Sequence, residues 1–229
     1  MGTMKEIIAL HGWTTSIEKW GPLLDNLREL NIKVKLPLIP GLTKKITQPW
    51  TLDNYVDWLR KQVATKKVIL LGHSNGGRIA LAFTAKYPNL VSKLILIDSA
   101  GIYHNELHIR IKRRLFKSLA LIGKKIASSE KLRNILYKLA QESDYQKADK
   151  IQRQILINLT TQDLTPILSK IKIPALIIWG KDDKITPFSD GKLIHKLIKN
   201  SKLEVMFNSK HSPHYTHPGE VAKIIHEYL

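Results

Sequence analysis

Apolar residues fall along this chain in two alternating rhythms. Short, nearly continuous apolar runs occur at Lys5–Leu10, Val34–Leu38, Val68–Leu71, Leu94–Ile97, Ala175–Trp179 and Leu203–Phe207. Such runs suit parallel strands that are buried on both faces. Between them lie longer stretches with apolar positions three and four apart: about Ile17–Leu30, Leu52–Ala64, Asn75–Tyr87, Asp190–Lys199 and Pro218–Leu229. In the third of these, Ile79, Ala80, Phe83 and Tyr87 share one face. The alternation predicts an α/β fold, a mostly parallel sheet of about six strands with helices on both faces.

The rhythm breaks between about Ile102 and Thr165, where no strand pattern occurs. One amphipathic stretch there carries Leu107, Ile111, Leu115, Leu119 and Ile122. A second, from near Ser128, carries Leu132, Ile135, Leu136 and Leu139. A third carries Ala148, Ile151, Ile155, Leu156 and Leu159. Each has a polar, Lys/Arg-rich opposite face. An all-helical block between two strands of one sheet predicts a cap, beginning where open α/β sheets bind ligands. The expected division is a core of residues 1–101 and 166–229 with a cap insertion at 102–165. Pro166 and Pro174 mark the return to the sheet.

Composition narrows the possibilities. At 229 residues the chain suits one domain with an insertion. It has no cysteine, which excludes a disulfide scaffold, a Cys nucleophile and a thiolate metal site. No apolar run is long enough for a membrane helix, and the N-terminal residues do not read as a signal peptide. The expectation is a cytoplasmic protein.

The formal net charge is +18, which invites a nucleic-acid or anionic-membrane reading. Lys outnumbers Arg, 29 to 8, whereas dedicated phosphate forks favour Arg. The excess is spread along the chain but denser in residues 102–160, which hold 13 basic and 5 acidic residues. A solvated Lys coat explains it best. No specific nucleic-acid partner is expected, and a membrane surface is disfavoured. Oligomeric state is not readable from these patterns.

The chemistry concentrates in three places. Gly72-His73-Ser74-Asn75-Gly76-Gly77 follows an apolar run and opens a helical pattern, the context of a G-x-S-x-G nucleophile elbow. A serine hydroxyl needs a base and a group to orient that base. In this architecture the order along the chain should be Ser, acid, His. Asp182 and Asp183 follow the run Ala175–Trp179. His211, His214 and His217 follow the last strand. Gly72–Gly77 is neither a P-loop nor a dinucleotide loop. His211-x-x-His214-x-x-His217 has ligand-like spacing but no carboxylate set, so no metal site is expected.

Four motifs in this order resemble the α/β-hydrolase superfamily, in its capped esterase, lipase and C–C-bond hydrolase branch. His11-Gly12-Trp13 resembles the oxyanion loop, and Gly72–Gly77 the elbow. Trp179-Gly-Lys-Asp-Asp183 with Pro187 resembles the acid turn, and Lys210-His211-Ser212-Pro213-His214 with Pro218 the histidine loop. The chain departs from the family pattern at Pro40-Gly41-Leu42-Thr43, at Lys210 and at Thr216.

The resemblance implies Ser74 as nucleophile, His211 as general base and Asp183 as its orienting acid. His214 and His217 are rivals to His211, and Asp182 and Asp98 to Asp183. Backbone N–H groups of Trp13 and Asn75 would form the oxyanion hole. His11 would brace its loop, and His73 would be structural. His104, His108, His195 and His226 read as surface or helix-face residues. No cofactor is implied. The expected activity is hydrolysis of carboxylic esters with apolar acyl groups through an acyl-enzyme, with Leu115, Leu119, Leu136 and Leu139 among the cap residues facing the pocket. A C–C-bond hydrolase, a thioesterase or a small-molecule sensor would use the same residues.

Overall fold

The computed structural model describes residues 5–13, 17–63, 67–104 and 148–229. Six strands form one sheet: β1 (Lys5–Leu10), β2 (Ile32–Lys35), β3 (Val68–His73), β4 (Val91–Ile97), β5 (Ala175–Gly180) and β6 (Ser201–Met206). Their order is β2-β1-β3-β4-β5-β6, and every neighbouring pair is parallel. The helices between them are α1 (Gly21–Glu29), α2 (Leu52–Gln62), α3 (Asn75–Lys86), α4 (Lys150–Thr160), α5 (Thr165–Leu168), α6 (Phe188–Leu197), α7 (Pro213–Thr216) and α8 (Pro218–Tyr228).

The sheet buries both faces because its strands are apolar at consecutive positions. Ile8, Leu10, Leu70, Leu94, Leu96, Ile177 and Trp179 join the core with α2, α3 and α6. Their neighbours Ile7, Ala9, Leu71, Ile95, Ile97, Leu176 and Ile178 face the other way, onto α1 and α8. Each fully buried aliphatic side chain contributes about 1.5–3 kcal/mol. This two-sided core holds the strand ends in register: His73 lies opposite Ile97, and Gly180 opposite Met206.

Several boundaries differ from the sequence expectation. The second strand is Ile32–Lys35 rather than Val34–Leu38. Pro37 cannot donate to a ladder, and Leu38 is half exposed. The last strand is Ser201–Met206, which leaves Phe207 outside it and largely exposed. The first helix does not start at Ile17. A 3-10 turn at Glu18–Trp20 leads into α1, whose first turn carries Pro22. Helix α6 begins at Phe188, two residues before the expected Asp190.

Of the expected cap, the two stretches around 107–122 and 128–139 lie outside the described residues. The third contains α4, Lys150–Thr160, with Ala148 two residues before its start. Asp149 caps it: its Oδ1 accepts the Gln152 N–H at 2.8 Å, and Gln152 Oε1 accepts the Asp149 N–H at 3.1 Å. Ile155 and Leu159 bury its inner face in the core. Leu164 N–H donates to Gly101 O at 2.9 Å. Arg78 of α3 donates from Nη1 to Gln162 O at 2.8 Å. No helix among the described residues is long and apolar enough to cross a membrane.

Candidate active site

The carboxyl ends of the strands gather the chemistry-bearing loops. β3 runs into α3 through a single sharp residue, Ser74, with φ 52° and ψ −119°. A non-glycine residue held there costs about 1–3 kcal/mol and persists only when its surroundings over-determine it. They do so here. Ser74 N–H continues the sheet to Ile97 O at 3.1 Å, and Ser74 O accepts from Gly77 at 2.9 Å and Ala100 at 2.9 Å. The turn closes only because Gly72 and Gly76 lack side chains: a Cβ on Gly72 would strike the Gly76 backbone, and one on Gly76 the Leu10 carbonyl.

Three predicted residues come together. His211 Nε2 lies 3.0 Å from Ser74 Oγ, and His211 Nδ1 lies 2.7 Å from Asp183 Oδ2. The Asp183 side chain has no exposed surface, and that of His211 is 16% exposed. Asp183 is held by its own turn. Its Oδ1 accepts the N–H of Ile185 at 2.8 Å and of Thr186 at 3.1 Å. Its Oδ2 accepts the Thr186 hydroxyl at 2.7 Å. With these bonds made, the carboxylate presents Oδ2 to the Nδ1–H edge of the imidazole. The Ser74 hydroxyl can then donate to the bare Nε2.

The rivals make other contacts. Asp182 is exposed, whereas Asp183 is buried. Asp98 is fully buried, and its Oδ1 accepts the Gly180 N–H at 2.8 Å. Its Oδ2 is buried with no hydrogen-bond partner among the described residues. Burial above all, then the charge of Asp183, pushes its pKa up to about 8, against the Gly180 hydrogen bond. His214 packs on Trp20 at 4.7 Å between ring centroids and on His73 at 4.2 Å. Burial first, then the charges of His211 and Lys19, pushes its pKa down to about 3. His217 bonds the neighbouring Thr216 hydroxyl at 2.8 Å.

The three regularly spaced histidines therefore do not converge. Among the described residues, His73, Asp98 and His211 are the set whose potential ligand atoms approach one another, within 4.8 Å. The His211 nitrogens face Ser74 and Asp183, and His73 Nε2 faces a carbonyl. Those bonds already use three of the four ring nitrogens.

The expected oxyanion groups flank the serine. Asn75 is the first residue of α3, so its N–H has no acceptor within the helix. Trp13 follows Gly12, where an added Cβ would stand 3.0 Å from the Ser74 Cβ. Trp13 itself is half-buried against the core. His11 braces this loop: Nδ1–H donates to Gly12 O at 2.8 Å, and Nε2 accepts the Thr43 hydroxyl at 3.0 Å. Burial lowers the His11 pKa, consistent with the neutral ring this pairing needs. The unusual Leu42-Thr43 thus has a local role, because Thr43 Oγ1 also accepts the Ile39 N–H at 2.8 Å.

Two features were not anticipated from sequence. Thr186 contacts Asp183, the Asp98 carbonyl at 3.1 Å and His211 Nδ1 at 3.2 Å. Its signal was available, since an aspartate followed three residues later by Thr-Pro is a turn that bonds its own carboxylate. His104, expected at the surface, bonds Asp190 Oδ2 at 2.9 Å with its side chain 26% exposed. His108 lies outside the described residues, whereas His195 and His226 are exposed as expected.

A strained serine elbow at the end of a parallel strand, facing a histidine and a buried aspartate, defines a class of α/β protein. Residues 51–216 match the serine aminopeptidase, S33 family, and the chain belongs to it within the α/β-hydrolase superfamily. Human monoacylglycerol lipase ABHD6 is similar, 26% identical over 259 residues, covering 100% of this chain and 76% of that protein. A pimeloyl-(acyl-carrier protein) methyl ester esterase from Wigglesworthia glossinidia brevipalpis is 26% identical over 248 residues, covering 97% of this chain and 93% of its own length. Among solved structures, a thermophilic esterase from Thermogutta terrifontis superposes with a TM-score of 0.72 at 21% identity, covering 100% of this chain and 90% of that one. That likeness is one of fold.

Proposed function

We propose that this protein is a serine hydrolase that cleaves carboxylic esters through an acyl-enzyme. The observation that carries the reading is the continuous line Ser74 Oγ, His211, Asp183, with contacts of 3.0 and 2.7 Å. Two relatives whose names state an ester-cleaving activity support it.

Ser74 Oγ attacks the ester carbonyl carbon while His211 Nε2 takes its proton. The carbonyl oxygen gathers negative charge between the N–H groups of Asn75 and Trp13, at the positive end of α3. His211 returns the proton to the departing alkoxide, leaving Ser74 acylated. A water then loses a proton to His211 and attacks the acyl carbon, and the acid departs as Ser74 recovers its proton. Asp183 keeps the Nδ1–H tautomer in place and offsets the imidazolium charge.

The acyl group that suits this reading is apolar. In the proposed division, residues 102–165 cover the site, and their apolar stripes would line the acyl pocket. The test is multiple turnover on p-nitrophenyl esters of increasing acyl length, with Ser74→Ala as control. Turnover lost in the variant supports the reading. Wild-type activity in Ser74→Ala would falsify it.

A further inference from the structure

His211 stands on a loop, between the last strand and the short α7, without a ladder to hold it. Its main chain is held from an unexpected direction. His73 Nε2 lies 2.8 Å from the His211 carbonyl oxygen. A carbonyl can only accept, so Nε2 carries the proton and Nδ1 is bare. His73 is the residue before Ser74, and so the same strained turn reaches both the hydroxyl and the backbone of its partner.

The His73 ring is itself confined. It packs on His214 at 4.2 Å, on His211 at 5.0 Å and edge-on to Trp20 at 6.3 Å. On the fourth side the Gly12 backbone closes in, where a Cβ would stand 2.9 Å from His73 Nδ1. The ionisable groups around it are His11 from the β1 loop, His211 and His214 from the histidine loop and α7, and the buried Asp98 at the end of β4. Burial, and then the charges His214 and His211 would carry, holds its pKa well below the ordinary histidine range. His214 is held neutral in the same way, with Lys19 as a further contributor. The stack therefore stays uncharged behind the imidazole that faces Ser74.

We propose that His73 is a positioning residue: its Nε2–H fixes the His211 carbonyl, and thereby the distance from His211 Nε2 to Ser74 Oγ. His214 and Trp20 form the wall that keeps the His73 ring in that orientation. This rests on the reading of His211 as general base. Displacing a base by about 1 Å can cost about 100-fold in rate.

His73→Phe retains a ring between its neighbours but has no donor. Its kcat per active site, counted by fluorophosphonate titration, is expected to fall about 10- to 100-fold with KM unchanged. His73→Gln can place a donor N–H at the same carbonyl and is expected to recover most of the loss. Equal losses in both variants, or wild-type kcat in His73→Phe, overturn the proposal.

The wild-type protein supplies an arm that no folding defect can spoil. Imidazole ¹⁵N spectra between pH 5.5 and 8 are expected to show His73 protonated on Nε2 alone. A reversed tautomer or an imidazolium in that range overturns the proposal even with esterase activity intact. Activity that survives Ser74→Ala removes the hydrolase reading and leaves the His73 spectrum to be judged separately.

Discussion

Asp98 accepts the backbone N–H of Gly180 at 2.8 Å, joining the carboxyl ends of β4 and β5 beneath the candidate site. The bond spans two central strands and leaves the second carboxyl oxygen buried without a partner among the described residues. A carboxyl in that position is easiest to keep when protonated. Its pKa rises to about 8 in the fold, from an ordinary carboxylate value in the unfolded chain. The contribution to stability is therefore complete in acid and is lost as pH rises through about 8. Asp98→Asn keeps the acceptor for Gly180 and cannot ionise. Relative to wild type, it is expected to gain stability progressively between pH 4 and 8, by on the order of a few kcal/mol. Thermal melts at half-unit pH steps measure this. A stability difference that stays flat with pH would contradict it.

Thr186 supplies the only side-chain hydroxyl, among the described residues, bonded to Asp183, at 2.7 Å. Hydrogen bonds to charged groups are worth about 1.5–3 kcal/mol. Thr186→Val keeps the volume and removes the donor. Its kcat/KM on an activated ester is expected to fall roughly 10- to 100-fold. Thr186→Ser should retain most activity. Wild-type rates in Thr186→Val would show that the two backbone N–H groups of the turn suffice to orient Asp183.

Ser74 sits at φ 52°, a conformation glycine tolerates better than serine. Ser74→Gly is expected to abolish turnover and raise Tm by a few degrees, because about 1–3 kcal/mol of backbone strain is relieved. Ser74→Ala should lose turnover with no such gain. Equal Tm values for the two variants would mean the elbow stores no strain.

The parallel sheet is legible in the sequence because the central strands are apolar at consecutive positions, and β1 coincides with the run Lys5–Leu10. The edge strands are less distinct in the sequence. In β2 only one side chain in four is fully buried, so the pattern slid toward Leu36 and Leu38, which lie beyond its end. The meeting of Ser74, Asp183 and His211 could be anticipated because each lies in a spaced motif that follows a strand. His73 and Asp98 could not be ranked in the same way. Their partners, His211 and Gly180, lie 138 and 82 residues away along the chain. A contact made only by tertiary packing leaves no periodicity to read.

The +18 charge gave little guidance to the site, since the excess is mostly lysine spread over the chain. Buried polar groups, not surface charge, distinguish the carboxyl end of this sheet. His11, His73, Asp98, Asp183 and His214 are all buried there.

The nucleophile itself can be tested directly by labelling. A fluorophosphonate transfers its phosphonyl group to an activated serine and releases fluoride, after which digestion and mass spectrometry locate the adduct. A single adduct on the peptide carrying Ser74 is expected, absent in Ser74→Ala and formed much more slowly in His211→Gln. An unlabelled Ser74 in a preparation that hydrolyses esters, or an adduct on another serine, would contradict the account.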